Sequence, residues 1–215
     1  MLFDIRVGDI YAHRKALLSS LQAKKAEDPT FSVIDVGGSA GGWSHPVADW
    51  IVDVNPVDTT NCFKVNLNRH DDWQNVLDYV AEHGKFSFAI CSHTLEDIAN
   101  PMLVMEMLPK IAEEGHIAVP SKYRELANVE SHNFRGYMHH RWIYNIRPEE
   151  PNLFVGFPKL SFIERYTKLH SLANTSDSVA ELKFRWKGRI PYRIINDDYL
   201  GPTSDAVYDY YLALL

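Results

Sequence analysis

The sequence predicts an α/β domain, and two observations carry that expectation. Between residues 30 and 120, short apolar and β-branched runs alternate with stretches of helical periodicity, the pattern of strands joined by helices. Two of the runs stop at turn-forming dipeptides, Gly37-Gly38 and Asn55-Pro56, which sets strand ends there. With 215 residues, 46% hydrophobic and 12% aromatic, the chain suits one domain with its own core and falls short of two.

Taken in order, Phe31 to Val36, Trp50 to Val54 and Cys62 to Val65 are the first three strands. Asp72 is a good N-cap for a helix in which Trp73, Val76, Leu77 and Val80 share a face, with Gly84 at its C-cap. Phe86 to Cys91 is the fourth strand. Asn100-Pro101 then supplies an N-cap with proline in the first turn, before Val104, Met107, Leu108 and Ile111, and Pro109 should kink or end that helix. His116 to Val119 is the fifth strand, closed by Pro120.

Residues 121–160 lose this rhythm and read as an irregular insert over the strand ends, rich in His, Arg, Asn and aromatics. Ser161 to Glu164 has the form of a capping box opening a helix with Phe162, Tyr166 and Leu169 on one face. Leu182, Phe184 and Trp186 alternate with Lys183, Arg185 and Lys187, and a Lys187-Gly188 turn into Ile190 to Ile195 predicts a hairpin. A last helix is expected from about Ser204, with Val207, Tyr208, Tyr211, Leu212 and Leu215 inward. Ile10 to Lys25 predicts a helix packed outside, so that residues 1–28 form an N-terminal helical extension of the single domain 1–215.

The net charge of −6 argues against holding nucleic acid or membrane by bulk charge. Cys62 and Cys91 form no CxxC and read as thiols of a reducing compartment. The N-terminus carries acids where a signal peptide needs an apolar run, and no 18 apolar residues run together, so a soluble cytoplasmic protein is expected.

Asp35 stands near the tip of the first strand, before Gly37, Gly38, Gly41 and Gly42, where glycines let backbone N–H groups approach a ligand. Asp53 follows about 18 residues later, where an open α/β sheet carries the carboxylate that accepts from ribose hydroxyls. Only Trp43 to Asp49, broken by Pro46, separates the glycines from the second strand, so the helix usual there is one turn or absent. Pyrophosphate leans on such a helix, and an adenosyl ligand without phosphates therefore fits better than NAD or FAD.

With VIDVGGSAGG, IVDVNP, FSFAICSHTLEDIANP and IAEEGHIAVPS in this order, residues 30–121 resemble the class I S-adenosylmethionine-dependent methyltransferases, in their small-molecule, type 11-like branch. The resemblance implies a Rossmann-like, mostly parallel seven-stranded sheet with helices on both faces and a shortened first crossover helix, the hairpin from Leu182 to Ile195 giving the last two strands. It further implies S-adenosyl-L-methionine as cofactor and S-adenosyl-L-homocysteine as product. Asp35, Gly37, Gly38 and Gly41 would wrap the methionine portion and Asp53 the ribose; Asn66 would lie beside the adenine, and Ser92 and His93 would border the methyl group. The sequence departs from the pattern in Leu95-Glu96-Asp97 and in its asparagine at the adenine side.

Methyl transfer needs alignment and, for weak nucleophiles such as hydroxyls, a base, so the acceptor should be set by the insert. There Tyr137, His139 and His140, with His93, are the candidate catalytic groups, and Lys122, Arg135, Arg141 and Trp142 the candidate acceptor contacts. Five basic residues against two acids over 121–147 (Lys122, Arg124, Arg135, Arg141, Arg147; Glu125, Glu130) point to a small anionic or sugar-type acceptor. Adjacent histidines on an extended segment point to opposite faces, so His139 and His140 are not expected to share a metal, and no HExxH spacing is present. The alternative reading is a regulatory module that holds an adenosyl ligand without turnover. A nucleic-acid acceptor is disfavoured because CSHTLED stands where base-methylating enzymes carry a DPPY-like run. A homodimer stays open.

Overall fold

The computed structural model describes every residue except 40, 56–60, 165–166, 196–208, 210–211 and 214. In chain order the elements are β1 (Leu2–Gly8), α1 (Ile10–Glu27), β2 (Val33–Val36), β3 (Trp50–Asp53), β4 (Cys62–Lys64), α2 (Gln74–His83), β5 (Phe86–Ser92), α3 (Pro101–Ile111) and β6 (Ala112–Pro120). After these come α4 (Lys122–Glu125), β7 (Trp142–Ile146), β8 (Phe154–Pro158), β9 (Glu181–Lys187) and β10 (Tyr192–Ile194).

The main sheet has seven strands in the order β1-β9-β6-β5-β2-β3-β4. β2 runs parallel to β3 and β5, β3 to β4, and β5 to β6, whereas β9 is antiparallel to both β6 and β1. The protein is therefore a mixed α/β fold on a large, mostly parallel sheet, as its alternating sequence predicts. β2 is buried along its whole length, which is why VIDV reads as a continuous apolar run. Period-two alternation splits β5 between faces: Phe88 and Ile90 meet Leu17 and Leu21 of α1, while Ala89 and Cys91 join Val76 of α2 and Val104, Leu108 and Ile111 of α3. Helices thus cover both faces. Chain order reverses between β2 and β5, and ligands of open α/β sheets bind beyond the strand ends at such a reversal.

Asn100 caps α3 by accepting from the Leu103 amide, with Pro101 in the first turn, and the helix ends at Ile111, two residues after Pro109. The residues between β2 and β3 form turns and no helix where described, as Pro46 predicts. The helix expected from Asp72 starts at Gln74, after a 3-10 turn over His70–Trp73. The Asp72 carboxylate instead accepts from the Asn66 amide at 3.0 Å, which ties down the loop beyond β4.

Four expectations need correction. The N-terminal extension is not wholly helical, because Leu2–Gly8 is an edge strand, and α1 lies against the sheet with Leu17 and Leu21 buried. The predicted hairpin contributes only β9 to the main sheet; after Gly188 the chain leaves, and β10 pairs in parallel with β8 in a second sheet of order β10-β8-β7. β1 takes the place of the missing strand, with Leu2 opposite Trp186 and Gly8 opposite Glu181. The insert is not irregular, since β7 and β8 lie within it, and the capping box opens only a 3-10 turn over Ser161–Glu164. The C-terminal helix expected from Ser204 falls largely outside the described residues. Among the described residues, no helix is long and apolar enough to cross a membrane.

Candidate functional site

A cavity of about 450 Å³ opens beyond the carboxyl ends of β2, β3, β4 and β5, bordered by Gly37, Asp53, Asn66 and His93 in turn. Gly37 has φ +81°, and a Cβ there would run into the Thr94 side chain, so the floor of the cavity requires glycine. Its amide donates to the Val52 carbonyl at 2.8 Å, locking the glycine turn onto β3. One Asp53 oxygen accepts from the Asn55 amide at 2.7 Å, which fixes the carboxylate at the cavity mouth. Asn66 accepts from the Asn68 amide at 3.1 Å and Asn68 from the Asn100 amide at 2.9 Å, so side-chain amides brace the far wall.

The other residues assigned to the cofactor lie elsewhere. Asp35 is buried, accepts from the Ser44 hydroxyl and does not border the cavity. Burial pushes its carboxyl up to about 6 against that hydrogen bond. A Cβ on Gly38 would meet this carboxylate, so Asp35 and Gly38 close the loop on itself. Gly38, Gly41 and Ser92 do not line the cavity; Gly41 sits at φ +75° with open space around it.

A second cavity, about 540 Å³, shares His93 and Asp97 with the first and extends under the insert and α1. His93 adopts φ +52°, rare for a non-glycine residue, and both ring nitrogens are engaged. Nε2 lies 2.7 Å from Glu181 Oε2, and Nδ1 lies 3.3 Å from Glu96 Oε1. Glu181 Oε1 also meets His13 Nδ1 at 2.8 Å, tying α1, β5 and β9 together. Burial alone would lower the His93 pKa, but the bonds to Glu181 and Glu96 outweigh it and push it up to about 9. Burial likewise raises Glu181, yet its bonds to His13 and His93 bring it below the usual carboxylate range. At neutral pH His93 is therefore an imidazolium held between two carboxylates, a fixed positive charge with no free nitrogen for a proton.

From the insert, Tyr137, His139 and His140 all line this cavity. They sit in a turn, with the His140 amide donating to the Tyr137 carbonyl at 3.3 Å, and the two imidazoles converge to 4.5 Å between centroids. The expectation that adjacent histidines diverge assumed an extended chain, and the turn removes that premise. His140 Nδ1 is 2.6 Å from Glu125 Oε1, and Glu125 Oε2 is 3.1 Å from Lys159 Nζ, with Glu125 only 1% exposed.

None of the four residues assigned to the acceptor borders either cavity. Arg135 bonds His170 Nδ1 at 2.8 Å, Arg141 the Asp97 carbonyl at 3.1 Å, and Trp142 the Ile98 carbonyl at 2.7 Å from a buried position in β7. Lys122 donates to the Leu215 carbonyl, and burial lowers its pKa. Tyr11 and Arg14 of α1, with Arg124, line the second cavity instead. Arg14 stacks over Trp43 at 5.1 Å, and its buried Nε has no hydrogen-bond partner. No sequence signal singled out α1, whose place at the site follows from β1 joining the sheet beside β9.

No protein-family model matches the sequence, and no curated protein does. Among solved structures, the chain is similar to a cyclopropane-fatty-acyl-phospholipid synthase-like protein from Lactobacillus casei, at 13% identity and TM-score 0.38, covering 85% of this chain and 96% of that one. It is also similar to the methyltransferase domain of bacterial CtHen1, at 10% identity and TM-score 0.37, covering 80% and 97%. A third likeness is to the N-terminal domain of EvdMO1, solved in the presence of SAH and D-fucose, at 10% identity and TM-score 0.34, covering 80% and 82%.

Proposed function

We propose that the protein is an S-adenosylmethionine-dependent methyltransferase acting on a small, hydroxyl-bearing acceptor of sugar type. The observation that supports this most is the meeting of two cavities at His93 and Asp97, one on each side of a shared wall. The first fits an adenosyl group: it has a glycine floor, a carboxylate at the end of β3 placed for ribose hydroxyls, and asparagine amides at the far wall. Among its described residues the crossover offers no helix N-terminus, which suits a ligand without phosphates. When bound, the donor supplies a methyl carbon made electrophilic by sulfonium.

The chain's part is then to align the acceptor in the second cavity and exclude water. That lining carries five carboxylates (Glu96, Asp97, Glu130, Asp177, Glu181) against two arginines and the His93 imidazolium, with His93 already held by Glu96 and Glu181 and Arg124 paired with Asp177 at 3.0 Å. Such a lining accepts hydrogen bonds from hydroxyls and repels multiply charged anions, so the sugar-type half of the original expectation is favoured over the anionic half. Arg14 is the cation left for a single carboxylate.

Titration calorimetry with S-adenosylhomocysteine, using NAD as control ligand, tests the donor side. Wild type should bind in the micromolar range and ignore NAD. Asp53→Ala removes a charged acceptor from the ribose and should weaken binding by about tenfold or more. No binding to wild type ends the reading. The alternative, an adenosyl-binding regulatory module, is supported by a crossover whose described residues form turns in place of a helix, and tight binding without turnover on any sugar acceptor would mark it.

A further inference from the structure

We propose that Asp97, His139 and His140 form a binding site for a divalent transition-metal ion, zinc foremost, on the wall of the second cavity. Asp97 Oδ1 lies 3.8 Å from His139 Nε2 and 3.7 Å from His140 Nε2, and the three ligand atoms fall within 4.8 Å of one another. A zinc ion about 2.0–2.2 Å from each ligand spaces neighbouring ligands by roughly 3.3 Å, so each carboxylate–imidazole pair closes by about half an ångström and the two imidazole nitrogens by up to about 1.5 Å. Asp97 and His139 are 42% and 62% exposed at their side chains, free to make that adjustment.

His140 is the preorganised member. Its side chain is 7% exposed, and Glu125 Oε1, itself buried, sits 2.6 Å from Nδ1. A carboxylate holding the Nδ1–H leaves the Nε2 lone pair directed at Asp97 and His139, the arrangement by which proteins orient a metal-bound imidazole. A separate observation points to a cation at the same cavity. Glu96, 1% exposed, lines it with Oε1 taken by His93 Nδ1 at 3.3 Å and Oε2 without a hydrogen-bond partner. A buried carboxylate in that state, within a lining of mostly acidic charge, favours an added positive charge.

Two imidazoles and one carboxylate suit zinc and its first-row neighbours better than magnesium or calcium, which take oxygen ligands. Three protein ligands leave a coordination position open toward the cavity, where an oxygen of a ligand or of water can enter. This site stands independently of the methyl-transfer reading.

The test uses the full chain, freed of metal by chelation, titrated with zinc alone. One equivalent should bind at micromolar or tighter affinity. His139→Ala and His140→Gln should each weaken it by about tenfold or more, while His70→Ala, a histidine 68% exposed and outside the lining of the cavity, should leave it unchanged. Cobalt should give visible d–d bands that His139→Ala abolishes. Because His139 is exposed, the metal-free His139→Ala protein should unfold at the wild-type temperature, so lost binding is not lost folding. Absence of binding, equal affinity in His139→Ala, or an equal loss in His70→Ala overturns the proposal. S-adenosylhomocysteine binding by metal-free protein is measured separately, so either result stands without the other.

Discussion

Glu181→Ala should lower the free energy of unfolding by about 3 to 5 kcal/mol, the usual cost of breaking a buried ion pair from one side. Glu181 is 1% exposed and serves two histidines, His93 at 2.7 Å and His13 at 2.8 Å. Removing it strands the His93 imidazolium beside Glu96 alone and cuts the tie that holds α1 to the end of β9. For a chain of this length each kcal/mol moves Tm by about 2–4 °C, so a drop of roughly 6–20 °C is expected. Urea and thermal unfolding would measure it, with Glu181→Gln intermediate because it keeps a hydrogen-bonding oxygen. A loss under about 1 kcal/mol would show that the pair contributes little beyond its own desolvation.

The same network predicts a pH signature. His93 titrates at about 9 in the fold and near 6.5 in the unfolded chain, so its contribution is complete below 6.5 and is lost as pH rises through 9. Wild-type stability should therefore fall between about pH 6.5 and 9, and Glu181→Ala should flatten that slope. Asp35, raised from 3.8 to about 6, and His116, pushed by burial from 6.5 to about 3, titrate below this window and do not mask it. A wild-type curve that stays level across it would mean that His93 is not held protonated.

The central strands were legible because each buries both faces and so declares itself as an apolar run bounded by glycine or proline. β1 was not, because an edge strand facing solvent carries Asp4 and Arg6 and breaks its alternation at a bulge between Phe3 and Arg6. The Lys187-Gly188 turn resembles a hairpin locally, but which strand β10 joins is decided by β8, distant in sequence. At the site, Gly37, Asp53, Asn66 and His93 reach the cavity because strand ends fix where they point. Arg135, Arg141, Trp142 and Lys122 do not, because each is taken up by a tertiary partner that the sequence does not reveal: His170, the Asp97 carbonyl, the Ile98 carbonyl and the Leu215 carbonyl. The three buried glutamates, Glu96, Glu125 and Glu181, were invisible for a related reason: a glutamate in sequence reads as solvent-exposed unless its partner is known.

Glu125→Ala should be as costly as the loss of Glu181, about 3 to 5 kcal/mol, and should act on a different part of the molecule. Its carboxylate meets His140 Nδ1 at 2.6 Å and Lys159 Nζ at 3.1 Å, both side chains less than 10% exposed. Lys159 in turn donates to the Tyr137 carbonyl at 2.7 Å, so one buried carboxylate holds the histidine turn to the end of β8. Without it Lys159 loses its carboxylate, and His140 loses the bond that fixes its tautomer. Hydrogen exchange should show opening concentrated in residues 121–160, with β2, β5 and β6 still protected, because most of the core around those strands comes from α2, α3 and the sheet itself, with Trp142, Tyr144 and Phe154 as the insert's share. Glu125→Gln separates packing from charge: it should recover part of the stability yet bind zinc about 10- to 100-fold more weakly than wild type, because an amide orients the imidazole less firmly than a carboxylate. Uniform loss of protection across the sheet in Glu125→Ala would instead make the insert inseparable from the core, and unchanged zinc affinity in Glu125→Gln would show that Glu125 does not orient the His140 ring for the metal.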